Sequence, residues 1–193
     1  MIKFFIVLFS LIFIGGISFS QKVLVNVFME NYKSRPNSDT IYYDTSRLLT
    51  WNDFKGVPDK NNNGGAITAS GFAFNTDINV DDKIIYINIG VYAFFIKSES
   101  WKKPFIITGY HLLHEQRHYD ITRLGTESFI KQLVNSKFTK DNYNQIISSV
   151  FEKAFNENSL LQQQYDKETE HSINRAEQLK WNDKIAAEIK KII

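Results

Sequence analysis

One short stretch limits what this chain can become. His114-Glu115-Gln116-Arg117-His118 places a histidine, a glutamate and a second histidine in an H-E-x-x-H pattern. On a helix, residues four apart lie one turn apart on one face, so two neutral imidazoles at 114 and 118 can grip one Zn²⁺. Glu115 leans toward the same ion and can take a proton from a bound water. The surroundings predict the helix. Pro104 suits a first helical turn, and Ile106, Tyr110, Leu113, Ile121, Leu124 and Phe129 fall on helical spacing. The motif alone also occurs on ordinary solvated helices. Here the chain has four histidines, and His111, His114 and His118 sit within one short segment, which favours the metal reading.

A catalytic zinc needs a third protein ligand and an open position. Three ligands from one straight helix do not surround a metal, so His111 reads as a supporting or structural residue. The remaining histidine, His171, lies on a later helical stretch and is the expected third ligand. Asp166, Glu168 and Glu170 around it are carboxylate alternatives. Asp120 could orient a ligand imidazole from behind. Tyr119 and Tyr165 are candidate hydrogen-bond donors to a developing oxyanion.

Composition removes other chemistries. The chain has no cysteine, hence no disulfide, thiolate zinc site or catalytic thiol. The net charge of +2 comes with no basic stripe, so nucleic acid is not an expected partner. The first 20 residues carry Lys3, an apolar run from Phe4 to Ile14 and a small-residue stretch ending at Ser20, the pattern of a secretory signal peptide. The product expected is exported, periplasmic or extracellular, with no membrane span after cleavage. Residues 21–193 read as one domain.

Along that domain, Val23, Val25 and Val27 alternate as an edge strand would, and Ile41 to Tyr43 suggests a short strand. Thr50 or Asn52 can cap a single turn, with Trp51 and Phe54 turned into the core. Asp59 to Gly65 reads as a loop. Ala66 to Asn75 and Lys83 to Phe95 have strand character and are expected to pair antiparallel. If Lys83 to Phe95 is an edge, it could bind a substrate as an added strand. Ser98 can cap a short turn before the motif helix. Asp141 is expected to cap a long helical stretch running to the C-terminus, with a possible break at Asn156 to Ser159. The architecture predicted is α+β: a small antiparallel sheet packed on the motif helix and one or two long C-terminal helices, a zincin-like arrangement.

Several of these motifs, taken in order, resemble a known family. Leu49-Thr50-Trp51-Asn52-Asp53-Phe54-Lys55-Gly56, Ser100-Trp101, His114 to Ile121 with Arg123, Tyr165-Asp166, Glu168-Thr169, His171, Gln178 and Trp181 match the bacterial proteins grouped as domain of unknown function 922, described as predicted secreted zinc-dependent proteases. The resemblance spans about residues 48 to 181. It implies a secreted zinc-dependent protease with one catalytic ion. Two positions depart from the family pattern. Arg117 stands where a small residue is expected. Ser172 follows His171 where a glycine is usual, and a glycine there would end the helix and re-aim the histidine.

The function expected is hydrolysis of a peptide bond by metal-activated water with Glu115 as general base, on a polypeptide or a cell-envelope peptide. The alternatives are a non-catalytic exported protein that binds envelope polymer through its aromatic-rich sheet, and a metal-dependent amidase acting on cell-wall peptides.

Overall fold

The computed structural model describes residues 21–81 and 83–192. The expected export signal lies outside the described residues. The architecture is α+β. Strands β1 (Lys22–Met29), β2 (Thr40–Tyr42), β3 (Ala66–Ile67), β4 (Ser70–Val80), β5 (Ile84–Ile96) and β6 (Trp101–Lys102) precede helices α1 (Gly109–Val134), α2 (Tyr143–Thr169) and α3 (Arg175–Lys190).

β5 is the spine of the main sheet. Its β-branched and aromatic residues favour an extended chain. Ile85, Ile87, Ile89, Val91, Ala93 and Phe95 alternate onto the buried face. Full burial of each large member stabilises the fold by about 1.5–3 kcal/mol. β4 runs antiparallel along one edge of β5, as expected. The other edge takes β1 and then β2 end to end, with Val23, Val25 and Val27 opposite Ile85, Ile87 and Ile89. β1 is an edge strand as read from its alternation, but it pairs parallel, so the sheet is mixed rather than wholly antiparallel. Both edges of β5 are therefore occupied, and the strand expected to accept a substrate as an added strand is not free to do so.

α1 is the element on which the rest converges. It touches β1, β4, β5, α2 and α3. Thr108 caps it, its Oγ1 accepting from His111 N at 3.2 Å. Pro104 sits in a separate short turn, Pro104–Ile106, just before. One core, including Phe72, Phe95, Tyr119, Phe129 and Ala154, lies between the sheet and the helices. A second, of Ile121, Tyr165, Trp181 and Ile185, joins the three helices. The first half of α1 thus enters a buried corner of the molecule rather than solvent.

Thr50 caps the short turn Trp51–Asp53 as expected, with Asp53 returning the bond to Thr50 N. Phe54 packs on Phe95. The stretch from Ser98 turns as expected through Glu99 but then enters β6, which pairs with β3, and the Ser98 hydroxyl donates to Asp39. The cap of α2 falls at Asn142, one residue after Asp141. The break expected at Asn156 to Ser159 is absent. Asn158 Nδ2 donates to Ile121 O of α1, and Gly125 lets α2 come so close that a Cβ there would lie 2.6 Å from Asn158 Nδ2. The polar residues that looked like a breaker are helix-to-helix contacts. α2 ends instead at Glu170, His171 and Ser172, all left-handed, with φ of 49°, 52° and 74°. No described helix is long and apolar enough to cross a membrane.

Candidate metal centre

α1 and α2 cross so that three donor atoms meet. His118 Nε2 lies 3.2 Å from His114 Nε2. Asp166 Oδ1, from α2, lies 3.2 Å from the first imidazole and 3.0 Å from the second. Among the described residues, this trio is the group of side chains that could hold a metal ion. Donors about 2.0–2.2 Å from a tetrahedral zinc stand roughly 3.3 Å apart, close to the spacing seen.

The polar partners behind the imidazoles decide what those atoms present. Gln178 Nε2 donates to Tyr165 OH at 2.6 Å and to Asn182 Oδ1 at 3.0 Å. That assignment leaves Gln178 Oε1 facing His114 Nδ1 at 2.8 Å. Gln162 Nε2 donates to His118 O at 2.9 Å, so Gln162 Oε1 faces His118 Nδ1 at 2.6 Å. A carbonyl oxygen can only accept, so each Nδ1 must carry the proton. Each neutral ring then offers a lone pair at Nε2. Asp166 Oδ1 is buried and accepts no hydrogen bond of good geometry. Three electron-rich atoms within 3.2 Å of one another repel unless a cation lies among them. The donor set of two imidazoles and one carboxylate suits zinc and leaves a position for a fourth ligand.

A proton on His118 Nε2 is favoured by the same arrangement. Burial pushes His118 down, but the Asp166 carboxylate beside Nε2 overrides it and holds the pKa above the ordinary 6.5. Burial pushes Asp166 up, but the two imidazoles hold its carboxyl well below the ordinary 3.8. The raised His118 value means that its contribution to stability is complete below pH 6.5 and is lost as pH rises through the folded value. The depressed Asp166 value means that its contribution is present above pH 3.8 and is lost as pH falls through the folded value. A zinc ion held by the trio would have to displace the His118 proton, so its apparent affinity is expected to rise about tenfold per pH unit below the folded His118 pKa. Thermal unfolding with and without zinc between about pH 5.5 and 8 checks this. The zinc-induced rise in Tm should grow with pH.

Glu115 is buried beside the trio. Thr68 Oγ1 donates to its Oε2 at 2.7 Å, and no described residue bonds the other carboxylate oxygen. Glu115, His114, His118 and Asp166 share a cleft of about 790 Å³, bordered by the loop at Asn62 to Gly65, by β3 and by the start of β4. The loop read from composition at Asp59 to Gly65 therefore forms one wall of the cleft.

Other expected site residues fall elsewhere. His171, the expected third ligand, has a side chain 71% exposed and its Nδ1 3.5 Å from Asp166 Oδ1. It flanks the trio without joining it, and Asp166 takes the third place. His111 lines the cleft, with Nδ1 2.6 Å from Thr108 Oγ1. Glu168 accepts from Trp181 Nε1, and Glu170 is exposed at the end of α2. Asp120 touches neither imidazole. It accepts from Tyr43 OH, Gln116 Nε2 and Arg117, and the two glutamines do the orienting expected of it. Arg117 is thereby held toward Asp120 and Asn182 and does not line the cleft. Tyr119 is buried in the core, its hydroxyl donating to Ile41 O at 2.8 Å, so it is no oxyanion donor. Tyr165 is also fully buried. Its ring stacks on His114 at 4.7 Å and meets His118 edge-on at 4.9 Å. Its hydroxyl accepts from Gln178 Nε2 at 2.6 Å and turns its own proton to His114 O at 3.4 Å, so the donor is directed at the helix backbone rather than at an oxyanion. Tyr165 supports the imidazoles instead.

Ser172 occupies the left-handed conformation that glycine adopts without cost, at φ 74°. Ser172→Gly is expected to stabilise the protein by about 1 kcal/mol. Chemical denaturation checks it, and an unchanged or lowered midpoint would contradict the strain.

Comparison of the chain with protein-family models, with curated proteins and with solved structures finds no match.

Proposed function

We propose that this chain is an exported zinc-dependent peptidase. The observation that carries the reading is the convergence of two glutamine-fixed imidazole lone pairs and one unbonded carboxylate oxygen beside a buried glutamate in an open cleft. His114, His118 and Asp166 would hold the ion. When bound, it supplies Lewis-acid chemistry, lowering the pKa of a coordinated water toward neutral and polarising a carbonyl oxygen. Glu115 takes the proton of the attacking water and returns it to the leaving amine nitrogen. Thr68 fixes the carboxylate for that transfer by holding Oε2. Gln162 and Gln178 keep both rings in the tautomer that binds a metal, and Tyr165 packs water away from them.

The test is digestion of an unstructured protein by the purified chain. Cleavage is expected to stop with chelator and to return with zinc. Zinc-loaded protein that cleaves nothing across a broad peptide set would contradict the reading.

A further inference from the structure

The walls of the cleft have a chemistry of their own. Among the described residues, no lysine or arginine lines it. Its two carboxylates, Glu115 and Asp166, are committed, one to Thr68 and proton transfer, the other to the imidazoles. The remaining polar lining is amide, hydroxyl and imidazole. Among the described residues, no lysine, no arginine and no uncommitted carboxylate is left to pair with the free carboxylate or free amine at the end of a peptide.

Large apolar side chains stand at the rim. Phe105 is 73% exposed, Phe155 52% and Ile173 77%, and Ile67 is partly exposed beside them. Single exposed apolar residues are ordinary. These four come from four separate segments and border one cleft, which is the pattern of a binding surface. Phe155 and Asp166 lie on the same helix, eleven residues and roughly 16 Å apart at the helical rise. That distance accommodates about five extended residues. Ile173 and Phe105 border the cleft as well, from the turn after α2 and from the turn before α1.

We propose that the cleft takes an extended, uncharged stretch of polypeptide with large apolar side chains near the scissile bond, and cuts it internally rather than at a chain end. This rests on the peptidase reading above. Desolvating an apolar side chain against Phe155 or Ile173 favours binding, whereas a charged side chain loses hydration and finds no partner. Specificity comes from that difference.

The test uses quenched fluorescent decapeptides that differ only at the central residues: leucine and phenylalanine, lysines, or aspartates. The apolar peptide is expected to show at least tenfold higher kcat/KM, unchanged when both termini are blocked. Ile173→Ser, at a side chain the fold does not bury, should raise KM for the apolar peptide about three- to tenfold with kcat unchanged. A second readout needs no turnover: zinc-loaded Glu115→Gln protein should bind the apolar peptide at least tenfold more tightly than the charged ones. Equal or better cleavage and binding of a charged peptide, or a rate that depends on a free terminus, overturns the proposal. Selective binding of the apolar peptide with no cleavage by the unaltered protein supports the proposed cleft while removing the peptidase reading.

Discussion

Glu115→Gln protein is expected to keep its fold and its zinc and to lose about 10²- to 10⁴-fold in kcat on any substrate the unaltered protein cleaves. The amide keeps the shape of the carboxylate and can still accept from Thr68 Oγ1, which now holds Oε2 at 2.7 Å. It cannot take a proton from water. Because Glu115 is not among the three convergent donors, zinc content should stay near that of the unaltered protein. Equal zinc with collapsed turnover therefore separates proton transfer from metal binding. Turnover within a few fold of the unaltered protein would remove Glu115 from the chemistry.

Asp166→Ala is expected to weaken zinc binding by more than a hundredfold. Loss of an outer partner to a ligand costs about 10–100-fold, and loss of a ligand should exceed that. His171→Ala should change zinc affinity little, since that ring is largely exposed and stands 3.5 Å from Asp166 Oδ1. Metal titration against a fluorescent competitor reads both. Loss of zinc on changing His171 and retention on changing Asp166 would reverse the assignment.

The sequence made the motif helix legible because its constraint is local: four residues of spacing set which face carries His114 and His118. The β4–β5 pair was legible for the same reason, through alternation and β-branched content. The third donor was not, because it depends on where α2 crosses α1. Asn158, Gln162 and Asp166 fall at four-residue steps and form a polar stripe that faces α1. That stripe was the available signal, and it points to Asp166 rather than His171. Asn158 looked like a helix breaker because its side chain competes for backbone in isolation. In the fold it has a carbonyl of α1 to bond instead. The tyrosines were misassigned because a hydroxyl near the motif in sequence reads as a donor until its partner is known. Tyr119 already donates to Ile41 O, and Tyr165 already turns its proton to His114 O. The occupied edges of β5 were beyond reach as well, since parallel pairing with β1 joins segments about 60 residues apart.

Anomalous diffraction at the zinc edge from crystals of the zinc-loaded protein addresses the metal centre itself. The account predicts one peak, about 2.0–2.2 Å from His114 Nε2, His118 Nε2 and Asp166 Oδ1, with a fourth side open to the cleft. A peak bonded to His171 in place of Asp166, or no peak between residues 114 and 118 at saturating zinc, would contradict it.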